Sequence, residues 1–140
     1  LWRVAGSPDM EGEIWGYPFA DVDATAYYGT AVYWARMNGI AGGYGDGTFG
    51  PDDPISREQF AAMLYRFAQV QGYDVTASAD LSGYADADKV SAYALAAIQW
   101  ANAEGIINGT SDTTLTPQGQ ATRAQAAAML QRFCERYGAV

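Results

Sequence analysis

The chain states one pattern twice. From Trp34 to Phe67 it reads W-A-x-x-x-G-I-x-x-G-x-x-D-x-T-x-x-P-x-x-x-x-[ST]-R-x-Q-x-A-A-M-L-x-R-F, and the same pattern returns from Trp100 to Phe133 at a constant offset of 66. Upstream of each block, Phe19-Ala20-Asp21 answers to Tyr84-Ala85-Asp86 at an offset of 65, one insertion separating the two registers. A repeat of this length is one supersecondary unit that cannot bury its own apolar face, so its copies must pack on one another. The division expected is residues 1–18 as the tail of a preceding repeat with a linker, 19–83 as the first unit with its linker, and 84–140 as the second. Leu1-Trp2-Arg3-Val4-Ala5 parallels Leu64-Tyr65-Arg66-Phe67-Ala68, which points to a third copy upstream, and Leu1 without a preceding Met points to a trimmed or excised chain.

Each unit reads as helix, structured loop, helix, giving an all-α fold of tandem helix–loop–helix repeats. The first helix is expected over about 26–38, with Ala31, Trp34 and Ala35 on one face, and its counterpart over about 91–104. Gly39 and Gly105 stand where a helix stops in the left-handed conformation. The intervening segments 40–54 and 106–121 are too rich in turn formers for a helix, and Ile40 with Phe49, or Ile106 with Leu115, supply inward anchors. Ser56 precedes Gln59 by three residues and Thr122 precedes Gln125 by three, the spacing of a capping box. Behind those caps Phe60, Met63, Leu64 and Phe67 form one apolar stripe, as do Ala126, Met129, Leu130 and Phe133, before Gly72 and Gly138 end the helices.

Composition removes several function classes. The net charge is −8 at pH 7, which opposes nucleic acid or an anionic membrane as main partner. No apolar run is long enough for a membrane-spanning helix, so membrane insertion is not expected. Histidine is absent and Cys134 is the one cysteine, which excludes Ser-His-Asp and Cys-His catalysis, most zinc chemistry and an internal disulfide. Cys134, beside Phe133, is expected to be a small buried apolar residue. Gly42-Gly43-Tyr44-Gly45-Asp46-Gly47 lacks the Gly-Lys-Ser/Thr of a phosphate loop, and Asp46, Asp52 and Asp53 lack the alternating ligands of an EF-hand. Glu58 becomes Ala124 in the second copy and Asn38 becomes Glu104, so no carboxylate pair repeats. Neither a catalytic set, a metal site nor a cofactor motif emerges.

Two arginines stand against a purely structural reading. Arg57 and Arg123 each follow the cap at the first helical position, where a cation meets the positive end of the helix dipole at a cost of about 0.3–1 kcal/mol. Free N–H groups, the hydroxyl of Ser56 or Thr122 and a guanidinium together form a receptor for a carboxylate or phosphate. The alternative is a salt bridge to Asp21 or Asp86 that pins the repeat, and both can hold at once. On the first reading, Arg57→Ala weakens ligand binding with little loss of fold. Trp34 and Trp100 fit a core role, or stack on a sugar if an edge faces a groove. The many tyrosines, Tyr17, Tyr27, Tyr28, Tyr33 and Tyr44 among them, suit ordinary packing and also carbohydrate or protein surfaces.

In order, Phe19-Ala20-Asp21-Val22, Trp34, Gly39-Ile40, Gly43 through Gly47, Phe49, Pro51 and Ile55-Ser56-Arg57-Glu58-Gln59-Phe60 resemble the S-layer homology repeat. So do Tyr84-Ala85-Asp86, Trp100, Gly105-Ile106, Gly109, Pro117 and Ala121-Thr122-Arg123-Ala124-Gln125. The resemblance implies a pseudo-threefold helical bundle and a non-catalytic, extracellular module that binds secondary cell-wall polysaccharide, often pyruvylated, in grooves between repeats. It assigns ligand contact to Arg57 and Arg123, and matches Asp21, Asp86, Trp34 and Trp100 to family motif positions; Ser56, Thr122, Gln59 and Gln125 complete the candidate set. With an incomplete set of three, self-association to complete the bundle is a further expectation. Asp46-Gly47-Thr48-Phe49 becomes Asp112-Thr113-Thr114-Leu115, so the second copy is expected to have the weaker groove and the more structural role. The competing function is a structural or protein-interaction module with degenerate grooves.

Overall fold

A computed structural model describes residues 1–10 and 16–138. Its contacts fall into two units, 1–53 and 54–140, the boundary lying inside the first sequence copy between its loop and its second helix. Among the described residues there are four α-helices and no strand, only an isolated antiparallel bridge between Ser56 and Gln120. No described helix is long and apolar enough to cross a membrane.

In the first unit, α1 spans Gly29–Met37. It starts three residues later than its periodicity suggests, because Ala26 N–H donates to Asp23 O and Gly29 N–H to Ala26 O, forming turns before the helix. It buries Val32, Tyr33, Trp34 and Ala35, and Gly39 comes next but one at φ 69° to end it. Phe19, Val22 and Val32 form a small core, with Tyr17, Tyr28 and Phe49 packed on it. The Tyr17 hydroxyl donates to Gly29 O at 2.7 Å, and burial pushes its phenol up to about 12. Leu1–Ala5 makes a single turn, Ala5 N–H reaching Leu1 O at 2.9 Å.

The second unit holds α2 (Arg57–Val70), α3 (Leu95–Ala103) and α4 (Arg123–Tyr137), with short 3-10 turns at Ala87–Lys89 and Ala92–Ala94. The expected single helix over about 91–104 is therefore a 3-10 turn running into a shorter α-helix. Both capping boxes are formed: Ser56 accepts from Gln59 N–H and Thr122 from Gln125 N–H, and each glutamine returns to the cap N–H. The core of this unit is aromatic. Trp100 packs against Tyr65 at 5.5 Å and against Phe133 at 6.3 Å, and Phe67 meets Phe133 at 5.6 Å between ring centroids.

The α2 stripe is rotated from its expected position. Leu64 and Phe67 are buried, but Phe60 and Met63 only half so, while Ala61, Ala62 and Ala68 are fully packed. Small side chains at those positions let the α2 backbone approach α3 closely, which a stripe drawn from large residues alone overlooks. On α4, Met129 and Phe133 are buried and Ala126, Leu130 and Cys134 are half-buried.

Candidate functional site

The loop of each copy is gathered by its aspartate. Asp21 accepts from Phe49 N–H and Gly50 N–H, both at 2.8 Å, and Asp86 accepts from Leu115 N–H and Thr116 N–H, also at 2.8 Å. These backbone donors hold both carboxyls below the usual carboxylate range. The aspartates thus close their own loops.

Arg57 meets the loop from the other side. Its Nε donates to Leu115 O at 3.0 Å and its Nη2 to Asn108 O at 2.7 Å. Asp86 and Arg57 therefore grip the two sides of Leu115, one taking its N–H and the other its C=O. The residue is 5% exposed, so a full charge is nearly withdrawn from water with carbonyls as partners and no carboxylate among the described residues. Burial, then the charge of Arg132, lowers the Arg57 pKa from its ordinary value.

The helix N-terminus around it is already filled. Arg57 N–H donates to Gly119 O and Glu58 N–H to Pro117 O, each at 2.9 Å, and Gln59 N–H goes to Ser56 Oγ. The expected receptor of free N–H groups is thus absent at α2, because segment 117–119 supplies the acceptors. Only the guanidinium remains to face outward.

It faces a cavity of about 280 Å³. Arg57, Arg132 and Gln125 give the wall its polar groups, and Ile107, Ala128 and Met129 give it an apolar floor. Two of the five guanidinium N–H donors of Arg57 are committed to carbonyls, which leaves the others for an entering acceptor. The Oε1 of Gln125 accepts from Thr122 N–H, leaving its amide nitrogen as a donor. A cationic wall over an apolar floor suits a small anion that carries an alkyl group beside its charge.

Of the candidate residues, only Arg57 and Gln125 line this cavity. Ser56, Gln59 and Thr122 are caps. Trp100 is 1% exposed, and its indole N–H donates to the Tyr137 hydroxyl at 3.0 Å, so it offers no face to a sugar. Trp34 is likewise buried. Arg123 is exposed, and no described residue accepts from its guanidinium. The cavity joins the arginine of the first copy to the loop and last helix of the second.

Two residues escaped the sequence reading. Arg132 is the arginine of the repeated M-L-x-R-F block, and its recurrence at the offset of 66 was the available signal. Glu58 is 3% exposed and accepts from Ser91 N–H at 2.9 Å, Ser91 Oγ at 2.6 Å and Gln118 Nε2 at 3.2 Å. The sequence weighed it only as half of a carboxylate pair, which its replacement by Ala124 excluded, yet it fixes the start of the turn leading into α3.

Comparison with known proteins places this geometry in context. A model of the S-layer homology domain matches residues 18–61 and 83–127, together more than half of the chain. The chain is 30% identical over 96% of its length to Cell surface glycoprotein 1 of Acetivibrio thermocellus, and 33% identical over 84% to the Cellulosome-anchoring protein of the same organism. It is 31% identical over 94% to the Surface-layer 125 kDa protein of Lysinibacillus sphaericus. The matches span 6%, 26% and 11% of those three proteins.

Proposed function

Since the chain belongs to the S-layer homology family of bacterial cell-surface proteins, we propose that it is a non-catalytic anchoring module that holds a larger surface protein to an anionic cell-wall polysaccharide. The observation that carries this reading is Arg57, a nearly buried cation at the edge of a cavity, without a carboxylate partner among the described residues. The ligand group is a carboxylate-bearing sugar substituent, and a pyruvate ketal fits the lining best. Its carboxylate meets the guanidinium, and its methyl group lies on the floor of Ile107, Ala128 and Met129.

Net charge of −8 opposes long-range attraction to an anionic polymer. Screening over about 8–10 Å at physiological salt leaves the local arginines in control. Purified cell walls test the proposal directly. The chain is expected to sediment with untreated walls and to stay in the supernatant once the polysaccharide has been stripped chemically; failure to bind untreated walls overturns the reading.

A structural module with a degenerate groove is the second reading, favoured by the two carbonyls that Arg57 already serves. It predicts identical behaviour on walls with and without polysaccharide. The exposed end of α4 supports a further part of the proposal. There the N–H groups of Arg123 and Ala124 meet no acceptor among the described residues, whereas their counterparts at α2 receive the carbonyls of Gly119 and Pro117. We propose that another repeat supplies such a loop to α4, in the isolated chain by self-association. Sedimentation equilibrium showing a monomer at all concentrations overturns that part alone.

A further inference from the structure

Nothing in the fold accounts for the side chain of Asn108. Its amide meets no partner among the described residues, and the first copy does without it, carrying Gly42 at the same place. The glycine that follows is dictated by packing: a Cβ on Gly109 would lie 2.2 Å from Ser111 O and 2.7 Å from Thr114 O. The turn thus holds an Asn-Gly step, in which the side-chain amide is most open to attack by the next main-chain nitrogen, because glycine has no Cβ to hinder the approach.

The reacting groups are free. Asn108 is exposed, the Gly109 N–H donates to no described residue, and both residues line the cavity, where water reaches them. The chain holds a second Asn-Gly step as an internal contrast. Asn38 is also exposed, but its Nδ2 donates to Trp34 O at 2.9 Å and the Gly39 N–H donates to Arg36 O at 3.1 Å, so leaving group and nucleophile are both engaged.

We infer that Asn108-Gly109 is a self-modifying site, which converts to isoaspartate and provides Arg57 with a covalently attached carboxylate. In the first step the Gly109 nitrogen bonds to Asn108 Cγ, the Cγ–Nδ2 bond breaks, and the amide leaves as ammonia with the Gly109 proton, closing a succinimide ring. Water, the one co-reactant, then opens the ring. Addition at the former main-chain carbonyl carbon breaks its bond to the Gly109 nitrogen, which takes a proton back, and leaves that carbonyl oxygen in a free carboxylate, its proton passing to the ammonia. Addition at Cγ gives aspartate instead. Arg57 selects between the two carbons. Its Nη2 donates to Asn108 O at 2.7 Å, so it stabilises the oxyanion that forms on that oxygen, as a fixed donor does in acyl transfer. The product carboxylate stays on the guanidinium, a nearly buried cation that until then has only carbonyls as partners among the described residues.

Ageing the intact chain for weeks in warm, mildly alkaline buffer tests this, with peptide mass spectrometry to read the amide-to-acid mass gain and enzymatic methylation to count isoaspartate. Asn108 is expected to convert roughly tenfold faster than Asn38, whose two hydrogen bonds must first break. Its ratio of isoaspartate to aspartate should exceed that of the same chain aged in urea. Arg57→Ala, aged below its melting temperature, should bring the ratio down to the urea value, and Asn108→Gln should abolish the product. Conversion of Asn38 as fast as Asn108, or none at Asn108 in the folded chain while the chain in urea converts, overturns the site. A folded-state ratio equal to that in urea, or unchanged in Arg57→Ala, overturns the part assigned to Arg57.

Discussion

Arg57 and Arg123 occupy the same position of the same motif, behind the same capping box, and the structure treats them in opposite ways. Arg57 is 5% exposed, with its side chain on two carbonyls and its own N–H on a third. Arg123 is exposed, with neither its guanidinium nor its N–H engaged by a described residue. The difference lies in what meets the start of each helix. Asn108, Leu115, Pro117 and Gly119 of the second copy accept from the start of α2; no described residue accepts from the Arg123 guanidinium or N–H at the start of α4. At α2, then, the motif supplies the arginine and the other copy supplies its partners. The loop of the second copy, despite its altered motif, supplies both carbonyls that the Arg57 guanidinium serves.

The sharpest way to break this comparison is to remove each arginine in turn. Arg57→Ala strands the carbonyls of Leu115 and Asn108, so it should cost roughly 2–4 kcal/mol of stability along with a ten- to hundredfold loss of wall binding. That departs from the sequence expectation of a binding defect with little loss of fold. Arg123→Ala should change stability by less than about 0.5 kcal/mol, and removing a cation from the positive end of α4 can even stabilise it slightly. Thermal melts with wall pull-down on both variants decide the matter. Equal effects at the two sites would mean that the contrast in their surroundings is unimportant.

Glu58 extends the comparison by one residue. Its carboxylate is buried with three donors upon it, so Glu58→Ala should cost about 2–4 kcal/mol by leaving the Ser91 N–H and hydroxyl without their acceptor. Installing the same side chain in the other copy, Ala124→Glu, places a carboxylate at the open end of α4 and should be neutral or stabilising by a few tenths of a kcal/mol. Chemical denaturation of the two variants measures both. A small loss in Glu58→Ala would show that water replaces the Ser91 contacts.

Much of this was legible in the residues. Local rules placed what is local: both capping boxes, the helix stops at Gly39 and Gly105, and the loops between were all readable from spacing and turn chemistry. What the sequence could not show was which copy meets which, since an offset of 66 says that two segments are alike and nothing of their contacts. Hence a salt bridge from the aspartates to the arginines stood as an open alternative although each aspartate binds its own loop, and free N–H groups were expected at the start of α2, where Gly119 and Pro117 accept from them. Trp100 stayed ambiguous because an amphipathic pattern gives the face of an indole, whereas its burial depends on Tyr65, Phe133 and Tyr137 arriving from distant parts of the chain.

The two loops reach one shape by different chemistry, which yields a smaller effect. At Gly50, φ is 71°, and a Cβ there would lie 2.4 Å from Asp53 Oδ2 and 2.6 Å from Tyr44 Cε2. The second copy carries Thr116 at the equivalent place, with φ 51°. Its neighbours have changed in step: Tyr44 becomes Thr110, whose hydroxyl pairs with that of Thr116 at 2.6 Å, and Asp53 becomes Gly119, which leaves room for the methyl. Gly50→Thr should therefore cost about 1–3 kcal/mol from overpacking and strain. Adding Tyr44→Thr and Asp53→Gly should restore most of it. Thr116→Gly should be near neutral, the relief of strain offsetting a lost hydroxyl pair and a more flexible unfolded chain. If the triple variant is no better than Gly50→Thr alone, the three positions are not one unit.

The smallest effect is expected where the copies agree. Asp21 and Asp86 make the same pair of backbone contacts, and both carboxyls titrate below their usual range chiefly because of those N–H donors. A carboxyl whose folded pKa is depressed adds stability above its unfolded value of about 3.9 and gives it up as pH falls through the folded pKa. Asp21→Asn and Asp86→Asn should thus melt below the wild type at neutral pH, and the gap should close below about pH 4. Asp23, Asp46, Asp74 and Asp80 are lowered as well, so the wild type loses stability across the same range and only the difference between variant and wild type reports on the loop. The copies should part in one respect. Asp46 lies near enough to push the Asp21 pKa back upward, an opposition that salt screens, so the Asp21→Asn gap should widen with ionic strength more than the Asp86→Asn gap. Identical salt responses would mean that the acidic turn of the first loop leaves its clamp unaffected.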